Sequence, residues 1–348
     1  MRTAKLVAPY RIEVGEAQEP QVNDSHQVLV RVKAVGICGT DLHTFKGERT
    51  DVEFPRVMGH ELSGIVIGAG DSVSRVKEGD HVIYDPVNSC GNCRTCSSGH
   101  ENVCREVKCF GVQMDGGFQD VIAVSEDKLY PVPKEIPFEC AALAEPFSIA
   151  ANIIAKADMR QEDRVVIFGA GTIGIAVLQA VKRLGNQVLV TDMAVEKLAL
   201  ARGFGADETV NSLKDNLHEA VGAFSPGGAD ILIDAVGTAS ILSECIQLAA
   251  PCANIVEIGF DEQESLIRPS DITKKELTIK GSRMNCHRFD IVVEWLKEGL
   301  ITDKMISRIY PLEQIEQAFR DTLEQGGTWL KCHADSGLNE PDLLEESE

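Results

Sequence analysis

Four cysteines crowd one short stretch, Cys90-x2-Cys93-x2-Cys96-x7-Cys104. Gaps of two residues let neighbouring thiolates turn toward one centre, as a tetrahedral zinc with zinc–sulfur bonds of about 2.3 Å requires. With every position filled by protein, such an ion is structural. A second, dispersed set joins Cys38, Gly59-His60-Glu61 and Glu145-Pro146. One soft thiolate, one imidazole and carboxylates suit a zinc that keeps a coordination position open. An open position is what Lewis-acid chemistry on an alcohol needs. Taken singly these residues say little, because a lone cysteine is usually core and Gly-His-Glu is usually a turn. Cys109, Cys140, Cys245, Cys252, Cys286 and Cys332 have no ligand-like spacing and read as small buried hydrophobes.

A third constellation is Gly169-Ala170-Gly171-Thr172-Ile173-Gly174, which follows an apolar run directly and opens a helical pattern. That context turns a weak glycine pattern into a dinucleotide-binding turn. The first glycine permits the tight turn, the second lets the backbone approach a pyrophosphate, and the third lets helix pack on strand. The helix N-terminus, with Thr172 and Ile173 in its first turn, supplies amides and the positive end of a dipole. Asp192 stands 18 residues beyond Gly174, at the end of the next apolar run. There its carboxylate can accept hydrogen bonds from both adenosine ribose hydroxyls and repel a 2′-phosphate, so NAD is expected rather than NADP.

The elements that position these residues fall into two patterns. Up to about residue 150 the chain reads as short strands and turns, for example over 27–35, 64–68 and 81–84, and the first sixteen residues alternate like a strand. From about residue 163 strands and helices alternate. Strands are expected over 164–168, 187–192, 229–234, 253–259 and 277–281, with helices over 172–184 and 195–203. Buried, β-branched strands separated by helices imply an α/β fold with a parallel sheet covered on both faces. After about residue 285 come helices and a terminal strand that returns to the first part of the chain.

Composition sets the outer limits. At 348 residues the chain suits two domains, and 44% hydrophobic with 25% charged residues is a globular composition. A net charge of −20, without any Lys/Arg cluster, argues against a nucleic-acid partner. It fits either an ordinary acidic surface or adaptation to concentrated salt. Residues 335–348 hold six acids and no Lys or Arg, and read as a solvated acidic tail. No apolar run is expected to reach the roughly 18 residues of a membrane span, and no leader opens the chain. The expectation is a soluble, cytoplasmic protein whose partner is a small molecule rather than a membrane. Eleven cysteines in that compartment point to metal ligands and buried thiols, not disulfides.

Ile37-Cys38-Gly39-Thr40-Asp41-Leu42-His43, Gly59-His60-Glu61, the four-cysteine loop and the glycine turn stand in one order along the chain. In that order they resemble the zinc-dependent medium-chain dehydrogenase/reductase family over essentially the whole length. Within it the chain is most similar to the polyol, threonine and sugar-acid branch, where a glutamate, here Glu145 before Pro146, replaces a thiolate ligand. The resemblance implies a GroES-like β-barrel catalytic domain over 1–152 and a Rossmann NAD-binding domain over 153–285. Residues 286–348 would return to the catalytic domain. It implies two zinc ions per chain, one catalytic and one structural, NAD as cofactor, and a homodimer or homotetramer. Cys38 and His60 would be permanent ligands of the catalytic zinc, with Glu61 and Glu145 completing it by exchange with water. Asp41 would orient the histidine from behind, and Thr40 and His43 would relay the alcohol proton outward.

The substrate expectation rests on Phe54-Pro55-Arg56-Val57, Asp115-Gly116-Gly117-Phe118 and Lys280-Gly281-Ser282-Arg283, which look like hexonate dehydrogenases. L-gulonate, oxidised at C5 to D-fructuronate, is the expected substrate. L-galactonate, L-idonate, neutral polyols such as sorbitol, and threonine are the alternatives. A carboxylate substrate needs a cation, for which Arg283 is the candidate; a role for Arg283 at the cofactor or a domain interface is the competing reading. A zinc-free quinone or enoyl reductase would lack Cys38, His60 and the four-cysteine loop. A non-catalytic binding protein would not need Thr40 and His43 together.

Overall fold

The computed structural model describes residues 1–259, 262–326 and 328–335. The acidic tail expected after Asp335 lies outside the described residues. The chain forms two compact units, Met1–Glu145 with the described chain from Phe289 onward, and Pro146–Arg288.

In the second unit, Arg164–Phe168, Gln187–Asp192, Glu208–Asn211, Ala229–Asp234, Ala249–Glu257 and Thr278–Gly281 form one sheet in which every pair is parallel. Numbered along the chain the strands lie in the order 3-2-1-4-5-6. This is the doubly wound dinucleotide-binding order, whose switch point falls between the first and fourth strands. Helices cover the sheet on both faces, so a central strand must be apolar at every position rather than at alternate ones. Val165, Val166, Ile167, Val188, Leu189 and Val190 are all fully buried. The fifth strand begins at Ala249, four residues before its expected start, and holds Cys252 at a φ of 64°. Pro251, lacking an N–H, and the left-handed Cys252 break the apolar pattern there without ending the strand. Glu208–Asn211 has no signature in the sequence, because Glu-Thr-Val-Asn carries only one strongly apolar residue.

The first unit is built on a seven-stranded sheet. Its strands lie in the order Ile306–Pro311, Lys331–Asp335, Gln27–Gly36, Glu61–Ala69, His81–Tyr84 and Leu129–Val132, with Val121–Ser125 also paired to Gln27–Gly36. The N-terminal stretch is a hairpin of Arg2–Ala8 and Arg11–Glu16, not one strand, and turns through Tyr10 at a φ of 63°. Leu6, Phe45, Leu62, Phe118, Ile315 and Phe319 pack into one core, so the last helices and strands seal the barrel-like sheet built by the first.

One expectation fails. The helical stretch Phe138–Ala157 is long and apolar enough, by length and composition, to cross a membrane. Within its most apolar window 72% of it is buried inside the protein, and it carries Glu139, Glu145 and Lys156. A core helix packed on several sides is apolar all round for the same reason a membrane helix is.

Candidate active site

The four thiols of the cysteine loop converge. Their sulfurs lie 3.4 Å (Cys93–Cys96 and Cys90–Cys104), 3.8 Å (Cys93–Cys104) and 4.0 Å (Cys90–Cys96) apart. A tetrahedron of 2.3 Å zinc–sulfur bonds has edges of about 3.8 Å, which these distances bracket. The loop also prepares thiolates. The Cys93 thiol is pulled down to about 5, first by the Thr95 hydroxyl and then by the Cys96 amide. The Cys90 and Glu106 amides donate to Cys104 at 3.4 and 3.3 Å and lower it too. Cys96 goes up to about 11, through burial and the neighbouring Cys93 sulfur, because four such groups cannot all ionise without a cation among them. The donor chemistry fits a closed zinc site.

The second cluster sits where one helix and one strand of the first unit begin. Cys38 caps the helix Gly39–Phe45, while His60 and Glu61 stand at the start of the strand Glu61–Ala69. One ligand atom each from Cys38, His60 and Glu61 lies within 4.8 Å of the others. His60, Glu61 and Asp41 are buried. Glu61 Oε2 is sealed from solvent without a hydrogen-bond partner, a cost a metal would remove, while His60 Nδ1 faces Asp41 and leaves the other ring nitrogen to ligate. Asp41 is tied by one oxygen to the Cys38 amide at 2.9 Å, and its other oxygen stands 3.6 Å from His60 Nδ1. That is ion-pair distance, too long for a hydrogen bond. Burial opposes a charge on His60, but Asp41 outweighs it and holds the imidazole well above its usual pKa. These sulfur, nitrogen and oxygen donors fit a zinc site with a position to spare.

Glu145 stands in the first turn of the helix Ala144–Ala157, buried, and outside the 4.8 Å trio. Burial pushes its carboxyl up to about 7; His60 and Lys331 pull it down, while Glu61 and Asp85 push it up. Two neighbours of this cluster have no sequence signature. Lys331 donates to Glu61 Oε1 at 2.7 Å and to the Ile37 carbonyl at 3.1 Å. The Cys109 thiol goes up to about 12 by burial, pulled back by His60 and pushed by Glu145, Asp41 and Cys38. A lysine in a terminal strand becomes visible only once the strands are paired.

Thr40 and His43 lie on the same short helix, three residues apart and so on one face. Thr40 is half-buried, and His43 is exposed with its Nδ1 2.6 Å from Glu48 Oε2.

The segments that suggested a sugar acid have a scaffolding part. Arg56 donates to Asp115 at 3.0 Å, and the Gly117 and Phe118 amides donate to the Gly59 and Met58 carbonyls at 2.8 and 3.0 Å. A Cβ on Gly116 would meet Gly59 O at 2.4 Å, and one on Gly111 would meet it at 2.5 Å. Bare backbones thus pack directly behind His60. Arg283 is exposed and belongs to the other unit, just after the edge strand Thr278–Gly281.

In that unit the glycine turn has the geometry its spacing implies. Gly169 has a φ of 96°, and a Cβ on Gly174 would fall 1.9 Å from Gly169 O. Gly171, which caps the helix Thr172–Arg183, faces open space. Asp192 ends the second strand and accepts the Ala170 amide at 2.8 Å on one oxygen and the Ala194 amide at 2.9 Å on the other. Each oxygen keeps a lone pair for a ribose hydroxyl.

Fold and site together define a two-unit metallo-dehydrogenase, and comparison with known proteins gives its family. Residues 24–134 match the alcohol dehydrogenase GroES-like domain and residues 172–298 the zinc-binding dehydrogenase domain. The chain belongs to the zinc-type alcohol dehydrogenase family, with a GroES-like unit and a Rossmann-like parallel sheet. It is 36% identical to the starvation-sensing protein RspB of Escherichia coli K12, over 91% of this chain and 94% of that one. L-galactonate-5-dehydrogenase from the same organism is 30% identical, over 89% and 92% of the two chains. The crystal structure of the RspB alcohol dehydrogenase from E. coli CFT073, complexed with NADH, superposes with a TM-score of 0.91 at 34% identity. It covers 96% of this chain and 99% of that one.

Proposed function

We propose that this chain oxidises a secondary alcohol of a sugar acid with NAD, and that its substrate is L-gulonate, oxidised at C5 to D-fructuronate. The observation that carries the dehydrogenase reading is the Cys38–His60–Glu61 donor set with the orphaned Glu61 Oε2. The likeness to L-galactonate-5-dehydrogenase supports a hexonate. Asp192, held by two amides at the end of the second strand, supports NAD.

Zinc, when bound by Cys38, His60 and a glutamate, supplies Lewis-acid polarisation of the alcohol hydroxyl, and NAD accepts the hydride. The chain's own groups do the rest. Asp41, 3.6 Å from Nδ1, holds the His60 imidazole from behind and leaves its other nitrogen for the metal. Thr40 takes the hydroxyl proton by hydrogen bond and His43, paired with Glu48 at the surface, passes it to solvent. Lys331 restrains Glu61 by one carboxylate oxygen and leaves the other free. The amides at Gly171 and Thr172 would receive the pyrophosphate of bound NAD.

A panel of L-gulonate, L-galactonate, L-idonate and sorbitol, assayed by NADH absorbance with NAD and NADP, tests the reading. L-gulonate with NAD should give the highest kcat/KM, and a chelator should abolish turnover. Equal kcat/KM for L-gulonate and sorbitol would overturn the substrate, and full activity after zinc removal would overturn the mechanism.

A further inference from the structure

Asp234 is the last residue of the fourth strand of the parallel sheet and Glu257 the last of the fifth, and the two are direct partners in the register. Aligned partners on neighbouring strands point their side chains to the same face. Asp234 is fully buried and Glu257 half-buried. Asp234 Oδ1 accepts the Val236 and Gly237 amides at 2.9 and 2.8 Å, and Glu257 Oε1 accepts the Gly259 amide at 2.6 Å. Asp234 Oδ2 is sealed from solvent with no donor on it. Each carboxyl therefore holds the loop that follows its strand, and the oxygen left over on Asp234 has the other carboxyl for a neighbour. A proton carried by one of the two satisfies it.

The two loops are pressed together and against the cofactor turn. A Cβ on Gly237 would meet Gly259 Cα at 2.3 Å, and one on Gly259 would meet Gly237 Cα at 2.1 Å. A Cβ on Gly169 would meet Val236 Cγ2 at 2.9 Å, and the Ala235 amide donates to Phe168 O at 2.9 Å. Val236, an exposed apolar side chain, thus stands over the first glycine of the turn, at the switch point where ligands of such sheets bind.

We propose that Asp234 and Glu257 share one proton, and that this proton keeps the 235–238 and 258–259 loops closed against the cofactor turn, making both carboxyls positioning residues for the cofactor. This rests on the NAD-linked reading above. Loss of the proton to solvent leaves two adjacent carboxylates, whose repulsion separates the Gly237–Gly259 contact and withdraws Val236 from Gly169. Burial drives both carboxyls upward, Glu257 to about 7; Asp234 raises Glu257 further, while Glu257 pulls Asp234 down. Among the described residues the register neighbours do not compensate. Phe168 and Gly281, the neighbours in register on either side, carry no charge. Cys245, on the helix Ala239–Leu248, is driven well above its usual pKa by burial and then by these two carboxyls, with Glu244 adding to it. Lys275 is spent on the Ile246, Gln247 and Ala249 carbonyls, and Lys280 on the Lys156 carbonyl.

The test reads loop closure and cofactor affinity separately, on the zinc-loaded full chain. Amide exchange at Val236, Gly237 and Gly259, corrected for its intrinsic pH dependence, is followed from pH 6 to 8.5, beside the NADH Kd. In the wild type protection should fall and Kd should rise, each on the order of fivefold, a modest coupling between two sites. In Glu257→Gln and in Asp234→Asn, which places a permanent N–H between the groups, both should be flat across the range. Either variant suffices should the other fail to fold. The same pH dependence in wild type and variants overturns the proposal, as does exchange that is flat in the wild type. Exchange that titrates while NADH binds at no pH overturns the cofactor half together with the NAD reading. NADH binding whose affinity ignores pH overturns the proposal alone.

Discussion

Lys331 and Glu61 form an ion pair of 2.7 Å with side chains only 3% and 1% exposed. Neither charge has water to fall back on. Burial opposes the Lys331 charge, yet Glu61 and Cys38 outweigh it and hold the amine above its ordinary pKa. The last strand of the chain thereby fixes a side chain of the second cluster.

Breaking that pair should be costly. Lys331→Met strands a buried carboxylate, so the expected loss is about 3–5 kcal/mol in urea unfolding of the metal-loaded protein. Adding Glu61→Gln to it should recover most of the loss. A single variant within about 1 kcal/mol of the wild type would show that the pair is not buried as described.

The glycine packing behind His60 makes a second prediction. A methyl group on Gly116 meets backbone atoms that cannot move aside, so Gly116→Ala should cost roughly 1–3 kcal/mol. Because Gly59 precedes His60, it should also release one zinc to a competing chelator faster than the wild type. Gly15→Ala, whose Cβ would meet nothing within 4 Å, is the control and should leave zinc retention unchanged.

Cofactor preference follows from Asp192. Activity should be far higher with NAD than with NADP, and Asp192→Ala combined with Met193→Arg should narrow the gap. A wild-type preference for NADP would contradict the role given to this carboxylate.

Acid stability should reflect Glu126. The Ser74 amide, then His26 and the Arg75 amide, pull its carboxyl down to about 2 from an ordinary 4.5. A folded-state pKa below the unfolded one contributes stability above the unfolded value, which is lost as pH falls toward the folded one. Thermal melts of Glu126→Gln should therefore lie below the wild type at pH 6. The difference should shrink as pH drops from about 4.5, and a gap that widens in acid would contradict it.

These residues also show what a sequence can and cannot reveal. The convergence of Cys90, Cys93, Cys96 and Cys104 was legible because all four thiols lie on one loop, where spacing alone bounds their distances. The glycine turn was legible because each glycine answers a local backbone demand, and strands Arg164–Phe168, Gln187–Asp192 and Ala229–Asp234 begin and end where their apolar runs do. Lys331 was not legible, since its bond to Glu61 depends on pairings between distant strands. Asp115-Gly116-Gly117-Phe118 suggested substrate chemistry, whereas its observed contacts support Gly59 and His60. Glycines chosen for close packing and glycines chosen for a ligand look alike until their neighbours are known.

The central claim is that Cys38 belongs to a catalytic zinc and the four-cysteine loop to a structural one. Metal analysis and NAD-linked turnover of L-gulonate, measured on the same preparations of wild type, Cys38→Ser and Cys96→Ser, test it most directly. The wild type should carry two zinc ions per chain, as two tetrahedral sites require. Cys38→Ser should carry one and lose nearly all turnover while still binding NADH. Cys96→Ser should mainly lose thermal stability. A Cys38→Ser protein that keeps both metals and full activity would contradict the account.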